Sequence, residues 1–483
     1  MTSYGQPRRP SDLPTSESTA SFWHTQPSPL LKGHRTTRDL PKHADVVIVG
    51  SGITGASAAY HLLLESHPAR KHAKPSVVML EAREACWGAT GRNGGHCQPL
   101  LFEHSHDPSI GQFEHKNYRR IAELVERYDI DCEFVKQPGV RAIYGTTMLA
   151  DVQRALAKMK EISPELADLV RLITSKEELA RYRLPTATGA MYTAEAARLW
   201  PYKFVAHILE QLITSTELKG TFNLQTLTPV VEVKPLEGDR WLVKTERGEI
   251  VAGTVFLATN GYTSHLVPNF ADLIVPCRGQ MSALTPTASI AGQNRLQTSL
   301  GFEGLGFDDY LIQRPSDRGE QLMFGGGRHL APSLGISDDS SIDEGVAKYL
   351  RTTLPKRFDL QDATHGELNA THQWTGIMAW SRDGLPWVGT VPNTKNLYIS
   401  AGYTGHGMPN AWLCGESLAA FYYLQGEKDA TQLVQRLTGL PTAYLVSSQR
   451  IAAAMALGDV EVQEQVLRAR ERSEQPAEIM KNL

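Results

Sequence analysis

The clearest pattern of apolar and polar positions lies between residues 45 and 81. An apolar run at residues 45–49 enters a glycine-rich turn at residues 50–55, and helical periodicity follows at residues 56–65. A second apolar run, at residues 76–80, ends at Glu81, whose carboxylate is placed to accept hydrogen bonds from an unphosphorylated ribose. Strand, glycine turn, helix, strand and acid fall in the order of a dinucleotide-binding βαβ unit, which the pattern therefore predicts.

The residues of the turn suit the binding of a pyrophosphate. Gly50 permits the tight bend, Gly52 lets the backbone approach the phosphates, and Gly55 lets the helix pack closely on the strand. Ile53 and Thr54 lie where the N-terminus of the helix offers free N–H groups and a positive dipole. We therefore expect all five residues to take part in cofactor binding.

Beyond this unit the periodicity predicts a helical region and then a strand-rich one. Helices are predicted at residues 117–128, 148–158, 175–182 and 201–217, with short extended pieces at 132–135 and 141–144. Strands are predicted at residues 222–227, 230–234, 241–245, 249–251 and 253–259, and a two-stranded hairpin at 308–315 and 321–329. Residues 1–40 are rich in Ser, Thr and Pro and are predicted to be a poorly ordered arm, pinned to its own domain by Phe22 and Trp23.

Composition excludes several classes of function. The 483 residues carry a net charge of -3 with no long run of one sign, so no nucleic-acid partner is expected. No stretch reaches the length of a membrane span. The five cysteines are scattered and lack the spacing of a zinc site, so no metal is expected and the thiols are predicted to be reduced. We expect a cytoplasmic protein, because the N-terminus is polar with no apolar signal segment. The terminal Lys481-Asn482-Leu483 resembles a peroxisomal tail only faintly.

Two further motifs share a glycine-rich character. Residues 88–95 have the sequence Gly-Ala-Thr-Gly-Arg-Asn-Gly-Gly, and residues 402–408 have the sequence Gly-Tyr-Thr-Gly-His-Gly-Met, directly before a helix predicted at 409–423. Together with the βαβ unit, these motifs resemble the flavin-contacting loop and turn of the D-amino acid oxidase-like family. That family contains FAD-dependent amine and amino-acid oxidoreductases.

The resemblance implies FAD as the cofactor and assigns residues to it. The amides before the predicted helix at 409–423 would stabilise negative charge on the reduced flavin. Family members that attach FAD covalently use a Cys near the position of Trp374 or a His near the position of Arg92. This sequence has neither attaching residue at those positions, which favours noncovalent FAD. His96 and Cys97, however, lie close to the loop. The implied FAD contacts beyond the first turn are Ala89, Thr90, Gly91, Arg92, Asn93, Gly94, Gly95, Val231, Thr259, Asn260, Gly405, His406, Gly407 and Met408.

Candidates for contact with the substrate are fewer. Alternation along the hairpin places Tyr310 and Ile312 on one face, and if that face covers the flavin, Tyr310 points at the substrate. A substrate carboxylate would need a positive partner, for which Arg314, Arg328 and Arg278 are candidates. His406 either contacts the flavin or only caps a helix.

The fold class that follows is an α/β (α+β) two-domain protein, in which a Rossmann-like FAD-binding domain of the glutathione-reductase type is interleaved with a mixed-sheet substrate domain. The FAD-binding domain is predicted at 41–110, 201–275 and 366–430, the substrate domain at 111–200 and 276–365, and peripheral helices at 431–483.

The function implied by the resemblance is oxidation of the C–N bond of a small amine or amino acid, by hydride transfer to the flavin, imine hydrolysis and reoxidation by O2 to H2O2. Three alternatives remain open. An amine dehydrogenase would use another electron acceptor, an NAD(P)H-dependent flavin monooxygenase shares the architecture, and a non-catalytic scaffold would bind FAD for stability. The sequence does not indicate the oligomeric state.

Overall fold

The computed structural model describes residues 8–70, 73–304, 306–361 and 366–459. Within these ranges the strands form two sheets. The first sheet contains β1 (His43–Val49), β2 (Val77–Leu80), β7 (Phe222–Gln225), β8 (Val230–Leu236), β9 (Arg240–Thr245), β10 (Gly248–Leu257), β16 (Trp387–Thr390) and β17 (Leu397–Ala401). The second contains β3 (His96–Cys97), β4 (Val135–Ile143), β5 (Val170–Ile173), β6 (Gly189–Arg198), β11 (Ile274–Leu284), β12 (Ser299–Gly304), β13 (Phe307–Gln313), β14 (Leu322–Gly325) and β15 (Ala370–Ser381).

Helices cover the sheets and connect their strands. In the described ranges the α-helices are α1 (Ile53–Leu63), α2 (Pro108–Tyr128), α3 (Thr146–Ile162), α4 (Pro164–Ala167), α5 (Lys176–Arg181), α6 (Pro201–Thr214), α7 (Thr263–Leu266), α8 (Glu344–Thr352), α9 (Leu354–Arg357), α10 (Ala411–Tyr423), α11 (Ala430–Thr438) and α12 (Ser448–Ala456). None of these helices is both long and apolar enough to cross a membrane.

The first sheet has a parallel centre in the order β17-β10-β1-β2-β7. β2 is buried along its whole length, and β1 and β10 are buried throughout their second halves, as expected for strands covered on both faces. The predicted βαβ unit is confirmed, because β1 and β2 pair in parallel and α1 joins them. This order places the turn at residues 50–55 at the carboxyl edge of the sheet, between strands whose connections run in opposite directions.

The second sheet runs in the order β15-β11-β14-β13-β12-β4-β6-β3, with β5 beside β6. The predicted hairpin is confirmed, since β13 and β14 pair antiparallel and Tyr310 lies opposite Gly325. Strand β6 was not predicted. Its sequence, Gly-Ala-Met-Tyr-Thr-Ala-Glu-Ala-Ala-Arg, is rich in Ala and favours a helix locally, but pairing with β4 along almost the whole strand overrides that preference.

The boundaries of the sheets differ from the predicted domain boundaries in two places. Strand β3 falls in the range 41–110 that was assigned to the FAD-binding domain, yet it pairs with β6 in the second sheet. Strand β15 falls in the range 366–430 that was assigned to the FAD-binding domain, yet it pairs with β11 in the second sheet. Strand β10 is one continuous strand where two were predicted. The rest of the division into two interleaved domains stays a prediction.

The prediction of a poorly ordered arm is wrong for residues 8–40. A short 3₁₀ turn at Phe22–His24 buries Phe22 and Trp23 in the largest apolar core, and Ser11, Ser21 and Leu31 are buried as well. The expectation that Phe22 and Trp23 dock on their own chain is confirmed. The arm lacks periodicity because single aromatic anchors and polar contacts hold it, rather than a regular element.

At the carboxyl end, α11 and α12 correspond to the peripheral helices predicted in the range 431–483, of which residues 460–483 lie outside the described residues. All five cysteines are buried, and none of them forms a disulfide bond.

Candidate functional site

The candidate site is a cavity of about 680 Å³ that both sheets line. The first sheet contributes the residues that follow the carboxyl ends of β1, β2 and β10, and the second sheet contributes parts of β12, β13 and β15. The glycine-rich loop at residues 86–95 and the turn at residues 402–410 complete the walls. A cavity at the carboxyl edge of a doubly wound sheet is the usual position of a dinucleotide.

On the side of the first sheet, Gly50 and Glu81 shape the cavity. Gly50 has φ +106°, and a Cβ placed on it would lie 2.6 Å from the carbonyl oxygen of Ala258, so only glycine fits. One oxygen of Glu81 accepts hydrogen bonds from the N–H (3.0 Å) and hydroxyl (2.7 Å) of Ser51, and the other accepts from the N–H of Arg83 (2.9 Å). These bonds fix the carboxylate at the cavity wall and leave it acceptor capacity for a ribose hydroxyl.

The glycine-rich loop lies between the first turn and the second sheet. The hydroxyl of Thr90 accepts a hydrogen bond from the N–H of Ile53 at the start of α1, 3.1 Å away. Arg92 lines the cavity, but its guanidinium donates to the carbonyl oxygens of Trp87 (2.9 Å) and Thr375 (2.8 Å) and lies 3.4 Å from the carboxylate of Asp339. Burial lowers the pKa of Arg92 to about 10, so it remains charged. Its charge is therefore already paired within the protein.

The turn before α10 presents backbone donors to the cavity. Gly407 and Met408 line it, and no described residue accepts a hydrogen bond from the N–H group of either. The carbonyl oxygens of the turn are held from behind: that of Met408 accepts from the side-chain amide of Asn117 (2.9 Å), and that of His406 accepts from the side chain of Asn410 (3.0 Å). Two orphan donors next to a helix N-terminus fit a ligand atom that carries negative charge.

On the side of the second sheet, Tyr310 packs against the glycine-rich loop. A Cβ on Gly94 would lie 2.5 Å from the Tyr310 ring, so the loop approaches β13 as closely as a glycine allows. Burial raises the pKa of Tyr310, which keeps its hydroxyl protonated and able to donate. Arg328 also lines the cavity, 2.8 Å from the carboxylate of Asp308 and stacked on Trp380 at 4.2 Å from the ring centre.

A charged cluster completes this side. Arg141 on β4 lies between Glu103 and Glu303, with nitrogen–oxygen distances of 2.5 and 2.6 Å to Glu303 and a short contact to Glu103. Burial opposes ionisation of Glu103, but Arg141 outweighs it and lowers the pKa, whereas burial raises the pKa of Glu303. All three residues line the cavity, and Asp308 adds a further carboxylate.

His406 lies at the junction of the turn and this cluster. Burial lowers its pKa below the ordinary value, and the carboxylate of Glu103 opposes that shift only in part, while Arg141 and His104 add to it. The imidazole is therefore neutral at pH 7 and available as a proton acceptor.

Most of the predicted site residues line this one cavity, although their contact with a cofactor stays a prediction. Those in the wall are Gly50, Gly52, Ile53, Thr54, Glu81, Ala89, Thr90, Arg92, Asn93, Gly94, Thr259, Asn260, Gly405, His406, Gly407, Met408, Tyr310 and Arg328.

Several predicted residues lie outside the wall. Gly55 packs α1 on β1, where a Cβ would lie 2.0 Å from the carbonyl oxygen of Gly50, as its predicted packing role requires. Gly91 and Gly95 face the interior behind the loop. Val231 is exposed, and the preceding residue, Val230, lines the cavity instead, because successive side chains of a strand point to opposite faces.

The prediction for Arg314 as a substrate anchor is contradicted. Its guanidinium makes two bonds to Glu133, at 2.6 and 3.1 Å, and stacks on Phe22 and Trp200. Both members of the pair are buried and neither lines the cavity. Arg278 also lies outside the wall and bonds to Ser341. Neither arginine is placed in the wall of the cavity.

Sequence reasoning missed three groups of wall residues. Glu103 lies in an irregular segment before α2, Arg141 and Glu303 lie on paired strands 162 positions apart, and Leu13 and Pro14 come from the arm. Alternation along β4 would place Arg141 on one face, but nothing in the sequence indicates which face meets the cavity.

The residues present fit FAD. The cavity offers a glycine turn before a helix N-terminus for a pyrophosphate, the Glu81 carboxylate for a ribose, and two unpartnered amides for the electron-rich edge of a flavin. Among the described residues, no group of three or more metal-ligating side chains occurs.

Comparison with known proteins agrees with this geometry. The sequence model of one family, described as "DAO: FAD dependent oxidoreductase", matches residues 45–421. Gamma-glutamylputrescine oxidoreductase of Escherichia coli strain K12 is 24% identical over 416 residues, which are 82% of this chain and 87% of that protein.

Among solved structures, glycine oxidase from Geobacillus kaustophilus has a TM-score of 0.63 at 20% identity and covers 80% of this chain and 96% of its own. L-proline dehydrogenase from P. horikoshii has a TM-score of 0.64 at 19% identity and covers 79% of this chain and 94% of its own. These likenesses show that the fold is shared.

The buried pair of Arg314 and Glu133 allows a test of its structural role. In Glu133→Gln the Arg314 charge stays buried without a counter-charge, and Arg198 lies close enough to add to the repulsion. We expect the free energy of unfolding, measured by urea denaturation, to fall by about 3 kcal/mol. As a control, Asp131→Asn removes an exposed partner of Arg318. This variant should change the free energy of unfolding by less than about 0.5 kcal/mol. Equal effects of the two variants would contradict the assignment.

The close approach at Gly50 predicts a loss of cofactor affinity on substitution. In Gly50→Ala the new methyl group meets the Ala258 carbonyl at a φ that favours glycine, so the turn must shift. We expect the dissociation constant for FAD, measured by titrating the apoprotein and following flavin fluorescence, to rise at least about tenfold. Gly366→Ala, where a Cβ meets nothing within 4 Å, is the matched control and should bind FAD normally.

Proposed function

The chain belongs to the DAO family of FAD-dependent oxidoreductases, and from this premise we propose that it oxidises the C–N bond of a small amine. One observation carries the proposal: a single cavity joins the dinucleotide turn to a lobe lined by a phenol, an imidazole and three carboxylates. Bound noncovalently, FAD would supply the redox chemistry, taking a hydride from the carbon that bears the nitrogen and passing the electrons to O2 to give H2O2, while water hydrolyses the imine.

The side chains of the lobe have distinct parts in this proposal. Neutral His406 accepts the proton that the substrate ammonium must lose before oxidation. The hydroxyl of Tyr310, protonated because burial raises its pKa, donates a hydrogen bond that orients the substrate. The amides of Gly407 and Met408 stabilise negative charge at the edge of the cofactor. The close packing of Tyr310 on Gly94 helps to exclude bulk water.

The charges of the lobe favour an amine over an α-amino acid. An α-carboxylate needs a cation that is not already neutralised. Arg141 is shared by Glu103 and Glu303, and Arg328 is paired with Asp308. Both arginines of the lobe are therefore paired, so the lobe offers oxygen acceptors to an ammonium group and no unpaired cation to a carboxylate.

Attachment of the cofactor is proposed to be noncovalent because the nearby thiol is unreactive. Burial raises the pKa of Cys97 to about 12, so it remains a thiol. The names of the relatives, which refer to γ-glutamylputrescine, glycine and proline, support a nitrogen-bearing substrate.

The experiment that tests the function is anaerobic reduction of the purified flavoprotein. We expect primary or secondary amines to bleach the flavin band without a nicotinamide, and each amine to reduce it at least about tenfold faster than its α-carboxylated counterpart, because the carboxylate lacks an uncompensated cation. Readmitting air and assaying peroxide separates an oxidase from a dehydrogenase that uses another acceptor.

The other outcomes are equally clear. Reduction by NAD(P)H alone would favour a monooxygenase, and a protein that binds FAD but is reduced by none of these compounds would favour a scaffold. Faster reduction by the carboxylated substrates would contradict the charge argument but not the oxidation itself.

The protonation of His406 predicts a pH dependence. Because its pKa lies below the ordinary value, the imidazole is neutral at pH 7 and becomes protonated as the pH falls. The rate of flavin reduction should therefore fall with acidification below pH about 6.5, separately from the rise caused by the substrate ammonium near pH 10. In His406→Asn the rate of flavin reduction should not show this fall at acidic pH. In His104→Asn, which removes only a neighbouring imidazole, the fall should remain. Stopped-flow reduction between pH 4.5 and 10 distinguishes the two variants.

A further inference from the structure

The amino-terminal arm holds the glycine-rich loop from the side opposite to the cavity. We propose that residues 18–24 are a clamp that keeps the loop at residues 86–95 in the shape that binds FAD, with Trp23 as its anchor. This inference rests on the proposal that the loop contacts the cofactor. The clamp precedes residue 45, where the match to the family begins.

Trp23 makes the central contact. Its side chain is fully buried, and its indole N–H donates to the carbonyl oxygen of Asn93 at 2.6 Å. The carbonyl oxygen of Trp23 in turn accepts from the indole of Trp200 at 2.7 Å, and the two rings lie 5.4 Å apart. A Cβ on Gly95 would lie 3.0 Å from the Trp23 ring, so the indole presses directly on the loop backbone.

Neighbouring residues of the clamp hold other parts of the loop. The hydroxyl of Ser21 donates to the carbonyl oxygen of Gly91 at 2.8 Å, and this bond is buried. The His24 ring stacks on Trp87, with centroids 3.6 Å apart and planes within 5°. Both contacts meet the face of the loop that is turned away from the cavity, because neither Gly91 nor any residue from 18 to 24 lines it.

Thr19 connects the clamp to Arg92. Its hydroxyl accepts from the Arg92 guanidinium at 3.2 Å and from the N–H of Thr375 at 2.9 Å, while its own N–H donates to the carbonyl oxygen of Asp339 at 2.9 Å. The arm thereby joins the loop to β15 and to the segment that carries Asp339.

These contacts matter because the loop has few of its own. Within it, the described structure shows the hydrogen bonds of one 3₁₀ turn at Ala89–Gly91, one from the Arg92 guanidinium to the Trp87 carbonyl oxygen, and one from the N–H of Gly95 to the Asn93 side chain. Three successive carbonyl oxygens, those of Gly91, Arg92 and Asn93, accept from outside the loop, and the arm supplies two of the three donors. Four glycines in eight residues make the unbound backbone flexible, so external bonds decide its shape.

Trp23 and Ser21 are therefore positioning residues, and their effect should appear in FAD affinity. Trp23→Phe keeps an aromatic ring but leaves the Asn93 carbonyl without its donor, and Ser21→Ala does the same to the Gly91 carbonyl. In the full-length apoprotein we expect each variant to bind FAD about tenfold more weakly, which corresponds to about 1.4 kcal/mol. The dissociation constant is measured by fluorescence titration, and the rate of FAD release by dilution.

Trp241→Phe is the matched control. Trp241 is also buried and donates its indole N–H to a backbone carbonyl, that of Lys395 at 2.8 Å, but it belongs to β9 and does not line the cavity. The Trp241→Phe variant should lower the thermal stability of the apoprotein, as Trp23→Phe does. Its affinity for FAD should change by less than about twofold. If Trp23→Phe fails to fold, Ser21→Ala decides the test.

Three outcomes overturn the clamp. Unchanged affinity in the Ser21 and Trp23 variants would show that the loop keeps its shape without the arm. Equal weakening in all three variants would assign the effect to general stability. If the wild-type apoprotein binds no FAD, both the proposed clamp and the proposed function are contradicted. If the wild-type protein binds FAD normally and the variants are unaffected, only the proposed clamp is contradicted.

Discussion

The buried carboxylate of Asp339 is the contact on which the arrangement of the site depends. It is fully inaccessible and binds two arginines, Arg83 at 2.9 Å and Arg92 at 3.4 Å. Arg83 follows β2 of the first sheet, Arg92 belongs to the glycine-rich loop, and Asp339 lies in the segment that follows β14 of the second sheet. Because an isolated buried charge is very unfavourable, the three residues must stay together, and the two sheets are thereby held at the distance that forms the cavity.

This constraint explains why the motifs alone describe the cofactor half better than the substrate half. The βαβ unit depends on local rules, such as the positive φ of Gly50 and the acid at the end of β2, and these rules are visible in a single sequence. The substrate half depends on pairings between distant positions. Arg141 meets Glu303 across the parallel pair β4 and β12, and no local pattern indicates that two strands so far apart in the chain are neighbours.

The errors of prediction follow the same division. Arg314 has the residue type of a substrate anchor, but its role was decided by Glu133, which stands 181 positions earlier and removes the guanidinium from the cavity. Val231 was misplaced by one residue, which in a strand moves a side chain to the opposite face. Strand β6 was missed because its alanines favour a helix in isolation, whereas β4 supplies the hydrogen bonds that make it a strand. For Arg314 and β6, tertiary contacts outweighed a correct local tendency.

The arm extends this argument to a part of the chain with no pattern at all. Its Ser, Thr and Pro content is typical of disorder, yet the same short polar side chains are well suited to bond exposed carbonyl oxygens of a glycine-rich backbone. A loop with four glycines in eight residues has few side chains for its own ordering, so most of its polar groups need partners from elsewhere. Trp23, Ser21 and Thr19 meet this need from one side, and Trp374 meets it from β15. The low-complexity character of the arm is therefore compatible with a defined structure, because its order comes from the loop that it contacts rather than from its own sequence.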